Sequence, residues 1–132
     1  MEKMDEYSPK RYDVAQLRFL CESLSQEIYA SINTQQFCWI NDPTSPESLQ
    51  INDLIEHIAD VTIVYKLKHP EDEVLISQVD TFLDDTFTLL SRYTVNKKDF
   101  LYWEMSSKQL VKIFFDASAG QRASHQAFIS QE

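Results

Sequence analysis

Glycine is nearly absent. Gly120 is the single one among 132 residues, so nothing earlier offers the glycine-bearing hairpin turns through which sandwiches and barrels reverse their strands. Helices need no glycine inside them and lose stability when they contain it; the scarcity favours an all-α fold. Cysteine is scarce too. Cys21 and Cys38 form neither a CxxC pair nor a metal knuckle. Long apolar runs are missing: no stretch approaches membrane-spanning length, and the opening MEKMDEYSPKRY lacks the apolar core of a secretion leader. A reducing cytoplasm is the expected compartment. Basic residues are in deficit, 12 against 21 acidic, for a formal charge of −9. Such a surface repels phosphate backbones and anionic lipid, so direct binding to nucleic acid or a membrane is disfavoured. It suits solubility, a basic protein partner, or mimicry of nucleic acid.

Apolar side chains make up 43% of the chain, enough for the core of one domain. Ser8 and Pro9 form a helix-start signal, which leaves residues 1–7 as a loose arm. Val14, Leu17, Cys21, Leu24, Ile28 and Ile32 then recur at helical spacing. The pattern weakens through Gln35 to Trp39 before Asn41-Asp42-Pro43 stops it, and a break at Asn33-Thr34 stays open. Ser45-Pro46-Glu47 is a second start, followed by a stripe of Ile51, Leu54, Ile55, Ile58, Thr62 and Tyr65. Its β-branched end allows a strand over 61–67, but the stripe stays in phase and predicts a helix.

Pro70 with Glu71, Asp72 and Glu73 opens the cleanest amphipathic segment. Leu75, Val79, Phe82, Leu83, Thr86, Leu90 and Tyr93 share one side; Glu73, Asp80, Asp84 and Asp85 cluster on the other. Asn96 is placed to cap a fourth helix with a core face of Phe100, Trp103, Ser107, Leu110, Val111 and Phe114. The alternative is a β-hairpin over 100–115, turning at Ser106-Ser107, which lacks the usual turn glycine. Beyond Asp116 the residues are small and polar, so 117–132 are expected to be a mobile tail. The expected architecture is a small antiparallel four-helix bundle over residues 8–116; the alternative is α+β, with a hairpin at 100–115 and a strand at 61–67.

Chemistry has few footholds. Asp53, Glu56, His57 and Asp60 could converge with Asp80, Asp84 and Asp85 on a metal ion between helices. Carboxylate bundles of that kind use a Glu-x-x-His motif, which is missing here, and these side chains point away from the apolar stripe. His57, His69 and His125 share no ligand spacing. Nucleophilic catalysis has neither a Gly-x-Ser-x-Gly elbow nor a phosphate loop, and the surroundings of Cys38, QQFCWINDP, bring no positive charge to activate a thiol. No catalytic, metal or cofactor residue is assigned, and no cofactor is expected.

The apolar residues, by contrast, overflow. Tyr12, Phe19 and Phe37 lie opposite the first stripe, Trp39 follows close behind, and Leu101, Tyr102, Met105, Ile113 and Phe115 fall outside the fourth. Exposed aromatic and Met-rich surface marks interfaces, with a partner protein or with a second copy. The expected function is therefore non-catalytic: an adaptor, inhibitor, immunity-type protein or small chaperone working through that surface. A metal-dependent hydrolase and an acidic nucleic-acid mimic are the alternatives. In bulk properties alone, small, acidic and helix-rich, the chain is similar to bacterial secretion chaperones and phage-encoded inhibitors.

Overall fold

In a computed structural model the backbone is described for residues 2–41 and 49–130, and side chains for 10–41 and 49–116. Among the described residues four helices carry the structure: α1 (Glu2–Ser31), α2 (Leu49–Lys68), α3 (Glu73–Leu90) and α4 (Lys97–Ser130). A miniature sheet of β1 (Ile32–Asn33) and β2 (Cys38–Trp39) sits between α1 and α2, with Ile32 opposite Trp39. The helices form a ring in which α1 packs on α2 and α4, and α3 packs on α4 and α2. Cross-helix pairs give the directions. Ser25 and Tyr29 of α1 meet Ser107 and Glu104 of α4 in reverse order, as do Asp85 and Thr86 of α3 with Ser106 and Trp103. The chain is a small helical bundle, as its glycine scarcity and stripes predict.

The stripes become the core. Val14, Leu17, Cys21, Leu24, Ile28 and Ile32 are buried, as are Ile51, Ile55, Ile58, Thr62 and Tyr65 of α2. Segment 61–67 is helical and 100–115 is the middle of α4, so neither alternative strand forms. Asn96 starts α4 as expected: its Oδ1 accepts the Asp99 N–H at 3.1 Å and its carbonyl accepts from Phe100 at 2.9 Å. Trp103 lies at the centre, fully buried with Phe82, Leu110 and Phe114.

Several details differ from expectation. Backbone helix begins at Glu2 rather than at Ser8, and continues through Ser130, so most of 1–7 and 117–132 extends α1 and α4. The start signal Ser45-Pro46-Glu47 lies outside the described residues. Tyr93 falls beyond the end of α3 and is 87% exposed, while Leu89 takes the buried place; Val111 is likewise exposed. The open question at Asn33-Thr34 resolves as a hairpin made without glycine. Asn33 Oδ1 accepts the N–H groups of Gln35 and Gln36 at 2.9 and 3.0 Å, closing the turn through its side chain. Phe37 then takes a left-handed φ of 49°, a conformation costly for a residue with a Cβ. Its ring compensates by packing edge-on against Phe100 at 5.7 Å, with Lys97 Nζ 5.4 Å from its centroid.

Candidate functional site

The nine apolar residues singled out from the sequence divide into two groups. Tyr12 and Phe19 are 78% and 69% exposed on the outer side of α1, and Leu101, Tyr102, Met105 and Phe115 stand about half exposed or more along α4. The other three have structural work. Phe37 packs on Phe100, and Ile113 is half-buried against the core. Trp39 Nε1 donates to the Arg92 carbonyl at 3.1 Å, tying the hairpin to the α3–α4 connection. Of the nine, six therefore remain exposed, all on α1 and α4, while Ile63 and Leu67 of α2 and Val74 and Phe87 of α3 are exposed apolar residues outside that set.

The acidic face of α3 is likewise reduced. Glu73, Asp80 and Asp84 are exposed, but Asp85 is half-buried and accepts a short hydrogen bond from Ser106 Oγ of α4. On α2, Asp53, Glu56, His57 and Asp60 are all exposed. Among the described residues, no group of three or more His, Cys, Asp or Glu is placed to hold a metal ion.

Sequence reasoning missed a polar cluster where α1 meets the α2–α3 turn. His69 Nε2 lies 2.9 Å from Asp13 Oδ2, and its ring is 4.7 Å from that of Tyr65. The Tyr65 hydroxyl donates to Asp72 Oδ2, and Lys10 Nζ reaches Asp72 Oδ1 at 3.3 Å and Glu71 at 3.6 Å. Burial, then the hydrogen bond to Asp72, pushes the Tyr65 hydroxyl pKa upward and keeps it a donor. Cations and carboxylates alternate and every described member has a partner, so the cluster fastens α1 across the turn. Its members are separated by up to 62 residues, and no local pattern joins them.

Between α1 and α4 runs a groove of about 320 Å³, with Cys21, Leu110 and Phe114 among its apolar lining and Ser25, Tyr29 and Lys108 among its polar lining. Burial, reinforced by Glu22, pushes the Cys21 thiol from 9.0 to about 12. It stays protonated and is no nucleophile. The geometry thus concentrates on surfaces for contact rather than on a reacting centre.

Comparison with known proteins agrees in kind. Residues 4–121 match the family model described as "Biofilm formation regulator YbaJ". The chain belongs to the YbaJ family. Proteins named "Hha toxicity modulator TomB" from Escherichia coli K12, O6:H1 and O157:H7 are each 49% identical to it over 121 residues, spanning 92% of this chain and 98% of theirs. A solved structure described as "3D structure of YmoB, a modulator of biofilm formation" superposes with a TM-score of 0.70 at 48% identity, covering 84% of this chain and 91% of that one. These descriptions are of regulators and modulators. The YbaJ-family assignment thus joins the helical bundle to a regulatory role, and no described helix is long and apolar enough to cross a membrane.

Proposed function

We propose that this chain is a non-catalytic modulator that binds a protein of the Hha type and relieves its toxicity. The observation that carries the reading is the apolar surface left on a fully formed bundle: Tyr12 and Phe19 on α1, and Leu101, Tyr102, Met105 and Phe115 on α4. A core that already buries Trp103, Phe82 and Phe114 does not need these residues, and exposed aromatic and Met side chains are what interfaces favour. The relatives' name, Hha toxicity modulator, supplies the class of partner. The acidic residues of α2 and α3 serve solubility and steer a partner's basic groups during encounter.

The test is co-production. The Hha-type protein of the source organism is expressed at a growth-limiting level, with and without this chain. Restored growth supports the reading. Continued arrest in cells that accumulate soluble, folded chain overturns it.

A further inference from the structure

The outer face of α4 carries the opposite charge to the molecule as a whole. At roughly 100° per residue, Lys98, Leu101, Met105, Lys108 and Lys112 fall within about 80° of one another, on the side away from the buried Trp103, Leu110 and Phe114, with Tyr102 beside them. The acids of this part of α4 already have partners. Asp99 pairs with Arg92 at 3.1 Å, and Glu104 accepts from Tyr29 at 2.9 Å; Asp116 alone closes the far end of the face. Lys108 stands 3.8 Å from Glu104, whereas Lys98 rests 6.0 Å over the Tyr102 ring. Among the described residues no carboxylate pairs with Lys98 or Lys112. A chain of net charge −9 has therefore placed an apolar strip between three lysines along four turns of one helix, two of them without a carboxylate partner among the described residues.

Resting on the binding role proposed above, we propose that this face docks an acidic amphipathic helix of the protein partner. Leu101 and Met105 supply the apolar seam, and Lys98, Lys108 and Lys112 pair with flanking Glu or Asp, as charged residues beside a helical seam do. The basic partner expected from net charge concerns the acidic helices; the apolar face itself selects the opposite sign. A second copy meeting this face two-fold would set lysine against lysine. Anionic bilayers and nucleic acid are repelled by the remaining surface.

Two variants of the full chain test this, Lys98→Glu/Lys112→Glu and Leu101→Ser/Met105→Ser. All four positions are exposed, so both variants keep the wild-type melting temperature. The probes are two synthetic helical peptides with the same leucine stripe, flanked by Glu in one and Lys in the other. The expected result is at least about tenfold tighter binding of the Glu peptide to wild type, reversed by Lys98→Glu/Lys112→Glu and lost in Leu101→Ser/Met105→Ser. Equal binding of both peptides, or preference for the Lys peptide, overturns the proposal. So does association with phosphatidylglycerol vesicles that Lys98→Glu/Lys112→Glu abolishes, or a dimer that Leu101→Ser/Met105→Ser dissolves. The purified Hha-type protein separates the two readings. Wild type that binds it as well as both variants do removes this face and keeps the modulator; wild type that fails to bind it removes the modulator, and the peptides still decide the face.

Discussion

The indole Nε1 of Trp103 donates to Thr86 Oγ1 at 3.0 Å, and the Thr86 hydroxyl passes its own proton to the Phe82 carbonyl at 2.7 Å. Trp103 and Thr86 are both fully buried, so this relay is how the largest side chain of the core keeps its N–H satisfied. Thr86→Val keeps the shape and removes the acceptor. It should cost about 1–3 kcal/mol, the penalty of an unpaired buried donor, while Thr86→Ser, which retains the oxygen, should cost less. Urea denaturation decides it: a Thr86→Val variant as stable as wild type would mean the relay contributes nothing.

Tyr65 and Asp72 join α2 to the turn that leads into α3. Tyr65→Phe should lower stability by about 1 kcal/mol. In a double-mutant cycle with Asp72→Asn the two losses should be less than additive, because they remove the same bond. Additive losses would show that the hydroxyl and carboxylate act independently.

Alkaline pH should unfold this protein earlier than its charge alone implies. Cys21 is raised from 9.0 to about 12 by burial and by Glu22; Tyr29 is raised from 10.0 to about 12 by burial and by Glu104. In both, the folded state holds a proton that the unfolded chain gives up more readily. Their contribution is fully present below about pH 9 and is lost as pH rises from there toward 12. Denaturation midpoints should be flat in this respect below that range and fall above it, with a shallower fall in Tyr29→Phe. An identical slope in that variant would remove Tyr29 from the account.

The two thiols should report the fold directly. Cys38 is exposed and Cys21 buried, so an aromatic disulfide reagent should modify Cys38 at once and Cys21 only as the bundle opens. Simultaneous reaction of both in native buffer would contradict the core assignment.

The helices were legible because helical periodicity is local: the stripe from Val14 to Ile32 and that from Ile51 to Tyr65 became the core. The hairpin was not. Its turn rests on an Asn33 side-chain acceptor and on Phe37 held at positive φ by contacts with Phe100 and Lys97, partners sixty or more positions away in sequence. The same applies to the candidate surface. The periodicity of α4 separates Leu101, Tyr102 and Met105 from the core, but cannot show that Phe37, Trp39 and Ile113 fold back against it. Nor can it show that Glu104 is shared between Tyr29 and Lys108, leaving Lys98 and Lys112 to set the sign of the outer face.

Direct titration of this chain with the purified Hha-type protein of its source organism tests the central claim most closely. Saturable binding, weakened by Leu101→Ser/Met105→Ser while the melting temperature of the free chain stays unchanged, is the predicted result. Relief of toxicity in cells by a chain that shows no binding to the purified protein would contradict it.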